Sequence, residues 1–484
     1  MMSISTETKV AKLLVNAQKA LGALPADILE LGTLFTEAGF ELALVGGPVR
    51  DAALGKVPHD FDLTTNARPE KTQELLNTWG KTWDVGKEFG TIGAARGQLV
   101  VEVTTYRTEE YDTSSRKPVV AYGDNLEGDL TRRDFTVNAM AVRLPQMIWV
   151  DPHGGLEDLA TGTLRTPVTA VQSFDDDPLR IMRAARFSAQ LGFAVTEDVL
   201  AAMRDMAPRL QIVSAERVRA ELERLIVSDY PRDGLELMVH TGVADQVLPE
   251  LSELTNTVDE HRRHKDVYEH TLKVLEQAID LETGPDGKCP GPDFILRFAA
   301  LMHDVGKPAT RAYEPNGVVT FHQHDIVGAK LTRKRMQALK FPKETIKAVT
   351  KLVSLHLRFH GYGEQSWTDS AVRRYVTDAG EQLQRLHRLT RADVTTQNKR
   401  KAARLAHAYD DLERRIDELA AKEELDAIRP DLDGQQIMDL LGLKPGREVG
   451  QARAYMLERR LERGPVDEQT AREELLEWWN NRTR

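Results

Sequence analysis

The sequence predicts an α+β protein that is mostly α: a small α/β head followed by a long all-helical remainder. Three observations predict it. Short β-type runs ("ELALVGG", "QLVVEVTTYR", "NAMAVRL", "MIWVDP") alternate with turn residues between about residues 40 and 165, and only there. From "SFDDDPLRIMRAARFSAQLGF" onward the apolar spacing becomes three and four and stays so almost to the end. The length, 484 residues, suggests two to four domains rather than one core.

Taken in order, residues 1–38 read as an N-terminal helical segment, amphipathic and without the apolar core of a signal peptide. Residues 39–168 form the head and 169–258 a helical neck. Residues 259–400 make a histidine-rich helical domain, and 401–484 a charged helical tail. "GPDGKCPGPD" and "AYEPNGVVTFHQ" are the clearest breaks in the helical part. Cys289 is the single cysteine, so no disulfide framework forms within the chain. No window is apolar enough to cross a bilayer. The expectation is a soluble, cytoplasmic protein with no membrane partner and no evident obligate protein partner. A net charge of −10 argues mildly against nucleic acid, but arginines bunch in "LTRRDFTVNA", "LRIMRAARF" and "QNKRKAARLA".

The head carries the first constellation. Gly46 and Gly47 follow the apolar run Leu42–Val45 and precede a short helical stretch beginning with Pro48. A strand, a bare turn and a helix N-terminus aim backbone N–H groups at an anion, and Arg50 adds a fixed positive charge. In "HDFDL", Asp60 and Asp62 face one side of a strand while Phe61 points inward. Adjacent carboxylates repel unless a cation lies between them, and Mg²⁺ with substrate phosphates answers that need. Glu102, on the β-type run "LVVEVTTYR", is the candidate third acid for a two-metal clamp. Turn capping is the ordinary use of an isolated Asp pair.

"LVGGPVRD", "HDFDL", "LTRRDFTVNAMA" and "FDDDPLRIMRAARFSAQLGF", in that order, resemble the motifs of class II tRNA nucleotidyltransferases (CCA-adding enzymes) and bacterial poly(A) polymerases. These belong to the polymerase β-type nucleotidyltransferase superfamily. The resemblance implies that Gly46, Gly47 and Arg50 hold a triphosphate and that Asp60 and Asp62 bind Mg²⁺. It puts Arg132, Arg133, Asp134 and Asn138 near sugar and phosphates, and makes "DDPLRIMRAAR" the reader of the base. Asp176 stands where the family more often has glutamate. Asp177 and Arg180, three apart, are expected as neighbours on one helix face. Together they accept from the amine and donate to the ring nitrogen of cytosine or adenine, an order that uracil and guanine reverse. Arg183 and Arg186 continue that face toward phosphate. As a plain surface ion pair, an Asp–Arg couple is worth little.

The second constellation is histidine. Eight of thirteen histidines lie between 261 and 360: His261, His264, His270, His303, His322, His324, His356 and His360. Histidine and carboxylate on converging helices suit Mn, Fe, Co, Ni or Zn, with Mg²⁺ as the alternative at this site. The order His270, His303–Asp304, His324, His356, Asp393 resembles the HD phosphohydrolase superfamily. That resemblance makes His270, His303, Asp304 and Asp393 the core ligands, with His324 and His356 completing a second metal and Lys307 near a bound phosphate. His322 and His360 fall outside it. In the tail, "KPGREVG" and Lys444 offer a grip for an RNA phosphate, or simply a turn in a bundle.

The expected activity is template-independent addition of CMP and AMP from CTP and ATP to a tRNA 3′ end, with a possible phosphohydrolase in the HD domain. The alternatives are a poly(A) polymerase using ATP alone, a metal-dependent phosphohydrolase with a nucleotide-binding head, and an RNA-binding scaffold with dead sites.

Overall fold

The computed structural model describes residues 5–86, 90–110, 119–123, 125–255, 257, 267–315, 319–359, 362, 367–396, 398–423 and 428–482. The chain divides into two compact units, residues 1–247 and 248–484.

The first unit opens with helices α1 (Thr6–Leu21) and α2 (Ala26–Glu37). Ser5 accepts from the Thr8 N–H to cap α1, and the buried faces of both helices are apolar. The head sheet follows: β1 (Leu42–Val45), α3 (Gly47–Ala53), β2 (Phe61–Thr65), α4 (Pro69–Trp79), β3 (Lys81–Gly86), β4 (Thr91–Arg96) and β5 (Leu99–Thr105). A separate hairpin, β6 (Arg107–Glu110) and β7 (Val119–Tyr122), leads to α5 (Leu126–Thr131). β8 (Ala141–Leu144) and β9 (Ile148–Val150) then return to the sheet, whose order is β3-β4-β5-β2-β1-β8-β9. β1 lies inside it and all four of its residues are buried, as a central strand reading "LALV" requires. The pair β2 and β5 is parallel, whereas every other pairing of this sheet is antiparallel.

Beyond the sheet come α6 (Gly155–Thr161), α7 (Ala170–Asp176), α8 (Leu179–Leu191), α9 (Glu197–Met206), α10 (Ala215–Ile226), α11 (Pro231–His240) and α12 (Val243–Val247). A two-residue parallel pair, β10 (Thr163–Leu164) and β11 (Ala194–Val195), ties the start of this helical part together. α8 packs against α10 and α11 and is buried along most of its length.

The second unit begins at α13 (Pro249–Leu254), which the sequence reading assigns to the neck. The difference has a visible cause: Glu250, nearly buried, takes Arg335 of the same unit at 2.9 Å. Next are α14 (Val267–Asp280), α15 (Phe294–Met302), α16 (Lys307–Thr310), a small hairpin of β12 (Ala312–Tyr313) and β13 (Val319–Thr320), α17 (His324–Ala338), α18 (Lys343–Leu355), α19 (Asp369–Ala379) and α20 (Leu383–Ala392). The tail is α21 (Lys399–Lys422), α22 (Gly434–Leu441), α23 (Arg447–Arg463) and α24 (Glu468–Asn481). The last three share a small core of Leu432, Ile437, Ala452, Met456, Ala471 and Leu475. Among the described residues, no helix is long and apolar enough to cross a membrane.

Candidate active site and metal centre

The head site is built on the parallel pair. Register places Asp62 of β2 directly opposite Glu102 of β5, and Asp60 stands just before β2. Phe61 and Leu63 are buried on the opposite face, so the period of two turns all three carboxylates outward, where they are exposed. Partial withdrawal from water raises the pKa of Asp62; Arg133 opposes this and Asp60 adds to it. For Glu102 the same loss of hydration comes first, then repulsion from Asp62 and Asp60. Three neighbouring acids, all oxygen donors, fit a hard divalent cation.

The elbow behind them is less open than the sequence predicts. Gly46 has φ +74°, a backbone conformation that favours glycine, and a Cβ there would stand 3.0 Å from the mobile end of Arg133. Yet its N–H donates to the Met140 carbonyl, and Pro48 has none to give. Arg50 is 4% exposed, and its guanidinium donates to Asn138 Oδ1 (2.7 Å) and Asp51 (2.9 Å). Arg50, expected from the sequence to hold a triphosphate, here braces α3 against the segment after α5.

That brace continues as a buried chain. Asn138 donates to Asp134, which also accepts the Phe135 N–H and both Nε and Nη2 of Arg183 on α8. Burial alone would raise Asp134, but Arg183 and Asn138 reverse this and hold it at about 2. Arg186 is bound to Glu221 of α10, itself buried. Arg183 is thus tied to Asp134 while its side chain stays 30% exposed, and Arg186 is held by Glu221 inside the protein. Their helix face points into the neck because α10 packs there.

The arginines that do line a cleft are Arg107, Arg132, Arg133, Arg180, Arg183 and Arg217, around a cavity of about 350 Å³ that also exposes Asp62 and Asp177. Asp177 and Arg180 are near neighbours, though not as two residues of one helix. Asp177 sits in extended backbone between α7 and α8, and its Oδ1 accepts the Leu179 N–H. Arg180, 8% exposed, donates to Ser173 and to the Arg132 carbonyl. Asp129, buried at 2%, escapes the sequence reading although it accepts from Arg132, Arg133 and the Arg107 N–H. Its signal was the spacing of three and four to the arginines in "GDLTRRD".

The histidine centre lies wholly within the second unit. His270, His303 and Asp304 form one cluster and Asp304, His324 and His356 another, with donor atoms in each within 4.8 Å. Asp304 bridges them: Oδ2 lies 3.3 Å from His303 Nε2, and Oδ1 lies 3.3 Å from His324 Nε2. Asp393 Oδ1 joins the first cluster, 3.0 Å from His270 Nε2. Lys307 Nζ lies 2.8 Å from Asp304. His322 is exposed and apart from the cluster; His261, His264 and His360 lie outside the described residues.

The tautomers follow from the backbone. Nδ1 of His303, His324 and His356 each faces a carbonyl three residues earlier, at Ala300, Phe321 and Val353. With Nδ1–H donating, every Nε2 lone pair points inward. Nε2 of His324 and His356 then meet at 3.3 Å, and those of His270 and His303 at 3.4 Å, contacts that need a cation or a proton between them. Burial opposes a proton on His303, but Asp304 and Asp393 raise its pKa to about 10. Burial and then His303 hold His356 at about 4. The residues fit a pair of divalent metals taking nitrogen and oxygen ligands.

Gly306 makes this geometry possible. A Cβ there would lie 2.0 Å from the His324 carbonyl oxygen, so only glycine lets α17 begin against the "HD" turn. Thr395 Oγ1, 3.0 Å from His270 Nδ1, orients the remaining ring. The sequence held both in plain view, but no periodicity marks a close approach between segments distant in the chain.

Three family models match the chain. Residues 42–165 match a poly(A) polymerase head domain, 192–254 a probable RNA and SrmB binding site of polymerase A, and 267–398 an HD domain. An A-adding tRNA nucleotidyltransferase of Deinococcus radiodurans is 34% identical over 427 residues, covering 86% of this chain and 91% of its own. A CCA-adding enzyme of Streptococcus sanguinis is 42% identical over 215 residues, 44% of this chain and about half of that protein (53%). In fold, the chain is similar to the Bacillus stearothermophilus CCA-adding enzyme solved with CTP (TM-score 0.67, 24% identity, 95% of this chain and 98% of that one). It is also similar to the Thermotoga maritima enzyme solved with tRNA (TM-score 0.59, 20% identity, 97% and 98%).

Proposed function

The chain belongs to the tRNA nucleotidyltransferase family, and from that premise we infer that it extends the 3′ end of tRNA with CMP and AMP taken from CTP and ATP. The observation that supports this most is a shared cavity: Asp62, one of the metal-binding acids, lines the same cleft as Asp177 and Arg180. Chemistry at phosphorus and recognition of a base then fall within one nucleotide's reach.

Mg²⁺ held by Asp60, Asp62 and Glu102 would acidify the 3′-hydroxyl and offset charge on the triphosphate. The chain's own part is positioning. Arg132 and Arg133, anchored on Asp129, hold positive charge at the cleft where phosphates enter. Arg180, fixed by Ser173 and the Arg132 carbonyl, offers N–H donors to a ring nitrogen, and Asp177 accepts from an exocyclic amine. The Arg50–Asn138–Asp134–Arg183 chain keeps the elbow and α8 in fixed relation.

A second reading, addition of the terminal AMP alone, is favoured by the name of the full-length Deinococcus relative. Labelled CTP and ATP, offered to tRNA lacking CCA and to tRNA lacking only the terminal A, separate the two. CMP incorporation on the first substrate supports full CCA addition. AMP incorporation confined to the second supports the narrower activity, and a homopolymer ladder points to poly(A) polymerase.

In the second unit, His270, His303, Asp304, His324, His356 and Asp393 would hold two transition metals, which supply a metal-activated water for phosphoester hydrolysis. Removal of terminal phosphate from RNA or nucleotide by the metal-loaded protein, and its loss in Asp304→Asn, tests this.

A further inference from the structure

The sheet face that carries the metal-binding acids does not end at Glu102. Across the register, Asp62 of β2 pairs with Glu102 of β5, Glu102 with Gly93 of β4, and Gly93 with Trp83 of β3. The four form one row, and side chains directly opposite on a ladder share a face. The alternation along β3 agrees: the Thr82 hydroxyl donates to Asn77 of α4, on the covered side of the sheet, so Trp83 points to the other. Trp83 thus stands on the face of the acids, on an edge strand, and is 39% exposed. Gly93 puts no side chain between the indole and Glu102. In the next row Lys81 and Val100, both exposed, flank Ala95 on the same face.

We propose that Trp83 is a stacking platform for the single-stranded 3′ end of the RNA acceptor, seating the bases just before the reacting 3′-hydroxyl. This rests on the reading of the head as a nucleotide-transfer site. A lone exposed apolar side chain is ordinary on a protein surface. What singles out Trp83 is its direction from the acids. The arginine cleft takes in Asp62, Arg132, Arg133 and Arg180, and none of its lining residues comes from β3 or β4. A triphosphate held there releases pyrophosphate toward the arginines as the bond to its α-phosphorus breaks. The attacking 3′-oxygen arrives roughly opposite, in line with that bond. Opposite the arginines lies the row that runs from Glu102 to Trp83. Neighbouring strands are about 4.8 Å apart, so Trp83 stands about 10 Å along the row from Glu102, the length of about three stacked nucleotides. Every base has a π face, so an exposed indole seats it without reading its identity. Lys81 adds positive charge for the RNA backbone beside it.

The test uses the full chain, ATP and a tRNA lacking only its terminal A, a substrate that full CCA addition and terminal AMP addition both accept. KM for the RNA is measured in wild type, Trp83→Leu and Trp83→Phe. Each is given intact RNA and RNA made abasic at the two nucleotides before the 3′-terminal one. Trp83→Leu is expected to raise KM for intact RNA about tenfold, the size of one lost base–aromatic stack, with kcat and KM for ATP nearly unchanged. Trp83→Phe keeps a ring and should recover most of the loss. Abasic RNA should raise the wild-type KM by a similar factor, and Trp83→Leu should then add little, since one contact is not lost twice. Leucine keeps apolar bulk on the edge strand, so a merely structural role would leave KM for RNA unmoved. A Trp83→Leu KM equal to that of wild type overturns the inference, as do effects of variant and abasic RNA that multiply. A wild-type KM indifferent to the abasic positions overturns it without any variant. In each of these cases continued AMP addition leaves the nucleotidyltransferase reading standing. A wild-type chain that extends no tRNA overturns that reading, and the inference with it.

Discussion

In the head, Asp60, Asp62 and Glu102 stand exposed on a sheet face, all oxygen, with no histidine among the donors. In the second unit, His303, Asp304 and His356 are almost fully buried, and each ring is fixed by a backbone carbonyl before any ligand arrives. The first arrangement suits a hard divalent cation that keeps coordination positions for water and phosphate oxygens. The second is enclosed, rich in nitrogen and pre-oriented, the design of a resident metal. The two donor sets thus differ in hardness, exposure and pre-orientation: the first suits an exchangeable ion, the second a retained one.

The largest effect expected from this contrast is at Asp62. Asp62→Ala should lower nucleotide incorporation by on the order of 10³-fold while tRNA affinity changes little, read by primer extension and by filter binding. Substantial residual incorporation would remove the acid pair from the chemistry. Asp304→Asn probes the other side of the comparison. Metal analysis after gel filtration should show the wild-type chain retaining a transition metal and the variant losing it, with nucleotide addition altered by no more than about twofold, as for independent sites. A matching loss of nucleotide addition would show that the two centres are not separate.

Gly306→Ala makes the same point through packing. The added methyl meets the His324 carbonyl, so α17 must move and the second cluster must open. Metal affinity is expected to fall about 10- to 100-fold, the usual consequence of displacing a supporting element, as read by competition with a chromophoric chelator.

Much of this was legible in the sequence because it is local. "HDFDL" fixes which side chains share a strand face, and the "LVVEVTTYR" run supplied Glu102 as the third acid. What could not be read was pairing across the chain. Whether β2 and β5 are parallel, and hence whether Asp62 meets Glu102, depends on the order of the whole sheet. The arginines show the same limit. Arg50, Arg183 and Arg186 look like phosphate ligands by residue type, and the sequence does not announce that Asn138, Asp134 and Glu221 also hold them as braces. Asp129 was passed over for the converse reason, since it matters through partners that the chain does not announce.

The smallest effect tests the brace itself and contrasts the head's interior with its exposed acids. Asp134 is buried and carries four hydrogen bonds, from Phe135 N–H, Asn138 and two nitrogens of Arg183. Its pKa falls from 3.8 to about 2 in the fold, against the upward push of burial. A carboxylate depressed on folding stabilises the native state fully above its unfolded pKa, and that contribution disappears as pH falls through its folded value. The shift corresponds to roughly 2 kcal/mol, present above about pH 4 and gone near pH 2. Asp134→Asn keeps the shape and removes the charge. The stability gap between wild type and variant should therefore be constant from pH 7 to about 5 and close as pH drops below 4. Pulse-labelling hydrogen exchange of α8 peptides across a urea series measures it within the unit concerned. A gap that stays constant down to pH 2.5 would mean that Arg183 is held by packing and not by the charge of Asp134.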